Sequence, residues 1–88
     1  MAGDYRVFVN NEALESLPRS GRRRSAVVAF LTVLGEIAHK GGDYTRRDPE
    51  TGRSFQVTEV SGFAITWWID ALVNEVKIVD IYEPNRDR

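Results

Sequence analysis

The 88-residue chain contains no cysteine. This absence excludes a disulfide framework, a thiolate metal site and a cysteine nucleophile. Long apolar runs are also absent: no segment approaches the roughly 20 residues of a transmembrane helix, and the N-terminal residues show no apolar run preceded by positive charge. We therefore expect an unprocessed, soluble cytoplasmic protein that does not use a membrane.

The chain carries almost no net charge, because 12 basic and 13 acidic side chains leave a formal charge of −1. No global field then draws it to nucleic acid, and any site for a polyanion must be a local patch. The single histidine, His39, is poor support for a metal site, since no second ligand is nearby in sequence. The sequence has no glycine-rich phosphate loop, paired metal motif or nucleophile elbow, so we expect no cofactor.

Most of the aromatic and β-branched residues lie in the segment 53–82, which predicts three strands joined by short turns. The alternation in residues 63–70 assigns two faces to the central strand. One face, predicted to be buried, carries Phe63, Ile65, Trp67 and Ile69. The other face, predicted to be partly open, carries Ala64, Thr66, Trp68 and Asp70.

Two helices are predicted before this segment. Residues 12–17 form a short helix that Pro18 ends, after a first strand over residues 5–10. Residues 22–40 show apolar side chains at helical spacing, with Ser20 as the N-cap and Gly41-Gly42 as the left-handed C-terminal cap.

The predicted class is α+β in one domain that spans residues 1–88. The order is strand, helical hairpin and antiparallel meander (β-α-α-β-β-β), with an extra short strand allowed before the turn at residues 48–52. The helices cover one sheet face, the first strand lies beside the last, and residues 84–88 form a loose tail.

The order of elements and two segments, RSFQVTEVSGFAITWWID and EVKIVDIYEPNRD, resemble the RelE/ParE superfamily of toxins from bacterial type II toxin–antitoxin modules. The resemblance covers nearly the whole chain and rests on element order and apolar pattern. It implies an antiparallel sheet of four or slightly more strands with a helical hairpin on one side. It also implies a cognate antitoxin protein as partner, and either ribosome-dependent cleavage of mRNA or poisoning of DNA gyrase.

Few catalytic residues of the resembled ribonucleases have counterparts here. Those enzymes place basic residues on the open face of the first two meander strands, and the matching positions by alternation are Gln56, Thr58 and Ala64. A slip of one residue in the strand register would put Arg53, Phe55 and Glu59 in place of Gln56 and Thr58. An arginine with a tyrosine or histidine is expected at the end of the last strand and in the tail, where Tyr82 and Arg86 stand.

The candidate catalytic residues are therefore Arg53, Tyr82 and Arg86. RNA cleavage at a 2′-hydroxyl needs a base, an acid and positive charge at phosphorus, and this set supplies little of that. An enzyme of this kind would be a ribosome-dependent endoribonuclease with a reduced site. Inhibition of DNA gyrase requires only a binding surface, so these residues fit it better than they fit RNA cleavage.

Two groups of arginines are candidates for target binding. Arg22, Arg23 and Arg24 lie in the first turn of the long helix, where the macrodipole disfavours positive charge. They form either a basic patch for RNA, DNA or an acidic antitoxin segment, or a solvated helix face that pairs with Glu12 or Glu15.

The second group, Arg46, Arg47 and Arg53, flanks the turn at residues 48–52 and is the first choice for contact with nucleic acid. Arginine favours bidentate contact with phosphate or carboxylate. Three acidic residues lie among them and would neutralise the group locally: Asp43, Asp48 and Glu50.

Trp68 is a candidate interface residue. It would serve as a stacking platform for a base, as an anchor in a protein interface, or be covered by the tail or a second subunit. The interface is favoured over stacking because the surrounding face is predicted to lack positive charge. Among nearby carboxylates, Asp70 and Glu75 flank a turn, and Asp80 is expected to face solvent or an arginine.

The leading hypothesis is a toxin-like component of a type II toxin–antitoxin module that acts on a macromolecular target. The alternative is a non-toxic protein-interaction module that retains the fold without nuclease activity.

Overall fold

A five-stranded sheet and one main helix form the part of the chain that the computed structural model describes, residues 4–84. The elements in chain order are β1 (Arg6–Val9), α1 (Asn11–Leu14), α2 (Arg22–Ile37), a single 3₁₀ turn (Ala38–Lys40), β2 (Tyr44–Arg47), β3 (Ser54–Val60), β4 (Phe63–Asp70) and β5 (Glu75–Tyr82). The predicted α+β class is therefore confirmed. Within residues 4–84, no helix is long and apolar enough to cross a membrane.

The strands are ordered β1-β5-β4-β3-β2, and the pairs from β2 to β5 are antiparallel. β1 lies beside β5, in the predicted position. The two strands run parallel, however, because both enter the sheet at the same end, where Arg6 lies opposite Glu75. The fully antiparallel sheet that the resemblance implied is thus wrong at this edge.

The helical elements are shorter than predicted. Asn10 caps α1 by accepting a hydrogen bond from the Ala13 backbone N–H at 2.8 Å, and only residues Asn11–Leu14 are helical. α2 ends at Ile37 and continues as the 3₁₀ turn, which Gly41 closes with a φ of 81°. The predicted N-cap Ser20 is wrong, because Gly21 occupies that position with a φ of 103°, a conformation that glycine adopts readily.

The core lies between the helices and one face of the sheet, which we call the helix-covered face. Val27 and Leu34 of α2 pack against buried residues of β4 and β5: Phe63, Ile65, Trp67, Val76, Ile78 and Ile81. Burying each large side chain of this kind contributes about 1.5–3 kcal/mol. The predicted inward face of β4 is confirmed, although Ile69 is only half-buried.

α2 approaches β1 closely at Gly35. A Cβ atom at Gly35 would lie 2.0 Å from the backbone oxygen of Tyr5. The Gly35 backbone oxygen also accepts a hydrogen bond from the Tyr5 N–H at 3.0 Å. Glycine is therefore required where the helix crosses the first strand.

The register of β3 against β4 reverses one prediction. Gln56 lies opposite Trp67 and Thr58 opposite Ile65, so both face the helices. The prediction that Gln56 and Thr58 lie on the open face is wrong. The two-residue turn at Ser61-Gly62 pairs even-numbered residues of β3 with odd-numbered residues of β4, and those residues of β4 face the helices. Val57 and Glu59 take that face instead, since they pair with Thr66 and Ala64.

Candidate binding site on the open sheet face

The sheet face opposite the helices, which we call the open face, collects aromatic and charged side chains from all five strands. Strand pairing places residues on this face because directly opposite positions in a sheet share a face. These side chains include Phe8, Tyr44, Arg46, Phe55, Trp68, Lys77, Asp80 and Tyr82. The predicted target-binding residue Arg46 and the predicted interface residue Trp68 are therefore brought to one surface.

Trp68 forms the centre of a cationic cluster. The Arg53 guanidinium lies over its ring, with Cζ 4.3 Å from the ring centroid, and Lys77 Nζ lies 5.6 Å from the same centroid. Cation–π contacts of this kind are worth about 0.5–1 kcal/mol at exposed sites. The prediction that the surroundings of Trp68 lack positive charge is therefore wrong, and Lys77 is a site residue that the sequence reasoning missed.

Lys77 also donates a hydrogen bond to the carboxylate of Asp70, with Nζ 2.9 Å from Oδ2. This hydrogen bond lowers the pKa of Asp70 below its ordinary value of 3.8, although burial opposes the shift. Asp70 is thus a charged partner of Lys77 near neutral pH and is not suited to act as a proton donor there.

Arg46 crosses the open face from the edge strand. Its Nη2 lies 3.4 Å from Oδ2 of Asp80, although β3 and β4 stand between the strands that carry the two residues. Asp80 faces an arginine, as predicted. The contact therefore crosses the centre of the open face and links the edge strand β2 to β5.

The open face also holds a small buried centre. Val57, Ala64 and Thr66 are no more than 1% exposed, although they lie on the open face and outside the main core cluster. The prediction that Ala64 and Thr66 are partly open is wrong, because long side chains from neighbouring strands close over them. Neither Thr66 Oγ1 nor Asp80 Oδ1 has a hydrogen-bond partner among the described residues, and both atoms are buried.

Two tyrosines border this surface on the side of β2 and the end of β5. The Tyr44 hydroxyl lies 3.3 Å from Oε2 of Glu59 and donates to it. Burial, followed by the negative charge of Glu59, raises the pKa of Tyr44 above its ordinary value of 10.0. Tyr82, a predicted catalytic residue, is 38% exposed and pairs opposite Ala64.

The predicted arginine cluster around the turn is divided by the sheet. Arg47 pairs opposite Ser54, so alternation turns it away from the face that carries Arg46. Two of the acidic residues nearby also accept hydrogen bonds from the backbone. Asp48 Oδ1 accepts the Glu50 N–H at 3.1 Å, and Asp43 Oδ2 accepts the Glu59 N–H at 2.9 Å.

The arginines at the start of α2 do not join the site. Arg23 pairs with Glu83 at 2.7 Å, donates to the Ser61 backbone oxygen and lies over the Phe63 ring at 4.4 Å. The predicted partners of this group, Glu12 and Glu15, are wrong for Arg23 because Glu83 is brought to it by the end of β5.

The neighbouring arginines also lie outside the site. Arg24 donates to the Pro18 backbone oxygen at 3.1 Å. Arg22 lies in the same exposed helical turn. The remaining predicted catalytic residue, Arg86, lies outside the described residues.

This arrangement is suited to binding rather than to acid–base chemistry. A general base works best with a pKa near the operating pH, whereas the pKa of Tyr44 is raised and that of Asp70 is lowered. Over residues 4–84, no three histidine, cysteine or acidic side chains are grouped to hold a metal ion. In comparisons with known proteins, no family model matches the chain and no curated protein matches its sequence.

Proposed function

We propose that this protein is a toxin-like component of a bacterial type II toxin–antitoxin module that binds single-stranded RNA through its open face. The observation that carries the proposal is the grouping of Arg46, Arg53, Lys77 and Trp68 on the sheet face that no helix within residues 4–84 covers. The resemblance of the sequence to the RelE/ParE superfamily, in its order of elements and its apolar pattern, supports the same assignment. The partners are a cognate antitoxin and mRNA on the ribosome.

The chemistry of the cationic cluster favours a phosphate chain as the target. Arg53 is exposed, and its guanidinium lies over the Trp68 ring with Cζ 4.3 Å from the ring centroid. A planar guanidinium held in this way is suited to bidentate contact with phosphate. Exposed aromatic side chains elsewhere on the open face, Phe8 on β1 and Tyr44 on β2, offer faces on which bases stack.

Binding without intrinsic cleavage is the mechanism that this face supports. Its carboxylates Asp70 and Asp80 already face Lys77 and Arg46, and Tyr44 holds its proton more tightly than an ordinary tyrosine. We infer that the protein occupies its RNA and blocks access to it. Any cleavage would need groups supplied by the ribosome.

A second candidate is a non-toxic protein-interaction module. The observation in its favour is that two of the three cations, Arg46 and Lys77, each pair with a carboxylate of the same face. A surface of balanced charge with aromatic side chains also resembles a protein interface.

Induced expression in a bacterial host tests the proposal. Growth, mRNA ends and plasmid supercoiling are compared for the natural chain, an Arg46→Ala/Arg53→Ala variant and an Arg47→Ala control, after each is shown to fold. Arg47 is the matched control because it lies on the same strand as Arg46 and faces the other side. We expect arrest for the natural chain and the control, and growth for the double variant.

Three results would contradict the proposal. Arrest with altered supercoiling and unchanged translation indicates DNA gyrase as the target. Normal growth with the folded natural chain supports the interaction module. Arrest that persists in the double variant removes the open face from the mechanism.

A further inference from the structure

The centre of the open face holds two buried polar atoms that the described residues leave without partners. They are the hydroxyl oxygen of Thr66, a residue that is 0% exposed, and Oδ1 of Asp80. Thr66 and Asp80 are directly opposite each other on β4 and β5. Unsatisfied buried polar groups are rare in proteins because each carries a desolvation penalty, so two of them side by side require an explanation.

We propose that Thr66 and Asp80 form a subsite that recognises the amino group of a cytosine base in the bound RNA. This inference rests on the proposed function, since it assigns base selection to the same face. The carboxylate accepts hydrogen bonds and repels anions, which excludes phosphate from the subsite. A carboxylate that accepts from the exocyclic amine of cytosine is an established pairing chemistry.

Arg46 contacts the Asp80 carboxylate of this subsite in the free protein and is weakly held there. Its contact with Asp80 Oδ2 is long, 3.4 Å, and the two side chains are 41% and 42% exposed. Exposed ion pairs of this kind are readily exchanged for water or another partner. When the guanidinium moves aside, it releases the Asp80 carboxylate for the base and is free to contact a phosphate of the entering strand.

The distance to the cationic cluster matches a nucleotide. Trp68 follows Thr66 by two residues on the same face of β4, which separates their Cα atoms by about 7 Å. Arg53 lies on the Trp68 ring and is suited to the phosphate. A nucleotide whose base contacts Thr66 and Asp80 can therefore place its phosphate at Arg53 on the same surface.

Binding of fluorescently labelled oligo(C) and oligo(U) RNA of equal length to the full chain tests this inference. The two pyrimidines have the same size and differ by an amino group in cytosine and a carbonyl oxygen in uracil at the same ring position. We expect oligo(C) to bind roughly tenfold more tightly than oligo(U). Thr66→Val should reduce the preference, and Asp80→Asn should abolish or reverse it, because the asparagine amide donates to the uracil oxygen.

Matched controls make the same chemical changes on the other side of the molecule. Thr32→Val and Glu36→Gln lie on α2 and should leave both affinities unchanged. Circular dichroism and thermal unfolding establish that each variant folds, and Asp80→Asn, which nearly keeps the side-chain volume, serves if Thr66→Val does not fold.

The outcomes distinguish a failure of the cytosine subsite from a failure of RNA binding. Equal binding of oligo(C) and oligo(U), or a preference that survives Asp80→Asn, overturns the cytosine subsite while RNA binding stands. Equal binding that is lost in the Arg46→Ala/Arg53→Ala variant supports RNA binding by the open face and overturns base selection at Thr66 and Asp80. No binding of either RNA overturns both the subsite and the proposed function.

Discussion

The two adjacent tryptophans show how strongly one residue of displacement along a strand changes a side chain's role. Trp67 is 0% exposed, and its indole N–H donates to Thr58 Oγ1 at 3.1 Å within the core. Trp68 lies on the opposite face, half-buried beneath Arg53 and beside Lys77. Alternation predicts the opposite directions, but it does not predict the cations, because they come from other strands.

The Asp70–Lys77 pair predicts a specific response to acid. The pKa of Asp70 is lowered in the folded protein, chiefly by the hydrogen bond from Lys77, so its stabilising contribution is present above the ordinary value of 3.8. The contribution is lost as the pH falls through the lower, folded pKa. We expect the free energy of unfolding to fall more steeply between about pH 5 and about pH 2 in the natural chain than in Asp70→Asn.

Urea unfolding at a series of pH values measures this difference. Other carboxylates titrate over the same range, so the comparison is between slopes rather than between absolute stabilities. Glu36→Gln, a change on α2 away from the pair, should keep the slope of the natural chain. Equal slopes for the natural chain and Asp70→Asn would contradict a lowered pKa.

At the scale of elements, local signals in the sequence predict much of the fold. The bounds of β4 agree with the prediction, Phe63–Asp70. The turn before β3 forms as expected, with Gly52 at a φ of 75°. These features depend on neighbouring residues alone, which is why alternation and turn residues reveal them.

Pairing between strands is less accessible from sequence. The length of the Ser61-Gly62 turn decides which side of β3 faces the helices. A slip of one residue in the pairing would move every side chain of the strand to the other face of the sheet. A register shift between Thr66 and Trp67 leaves Val79 without a directly opposite residue in β4. That bulge puts both Lys77 and Asp80 on the open face, although simple alternation would separate them.

The contact between β3 and β4 gives a test of this register. Thr58→Val keeps the shape of the side chain and removes the acceptor of the Trp67 indole N–H. Because that N–H is buried, we expect a loss of about 1–3 kcal/mol in the free energy of unfolding. Urea unfolding measures the loss.

Thr45→Val is the matched control, since Thr45 is exposed on β2 and pairs opposite Gln56. It should change stability by less than about 0.5 kcal/mol. A loss for Thr58→Val no larger than that of the control would contradict the assignment of Thr58 to the helix-covered face.

At the scale of the whole molecule, the sheet separates two functions. One face packs on α1 and α2 and supplies the main core, whereas the other carries ion pairs and aromatic side chains over a small buried centre. The elements in the sequence predict the first face well. The second depends on contacts between residues far apart in the chain, such as Arg46 and Asp80, and no local pattern encodes them.

The central claim is that the open face binds single-stranded RNA, and the two indole N–H groups test it most directly. In an NMR titration of the natural chain with a short single-stranded RNA, the Trp68 indole signal should shift. The signal of the Trp67 indole N–H, which donates a hydrogen bond to Thr58 in the core, should keep its chemical shift. Shifts confined to α2, or no shift of the Trp68 signal at saturating RNA, would contradict the claim.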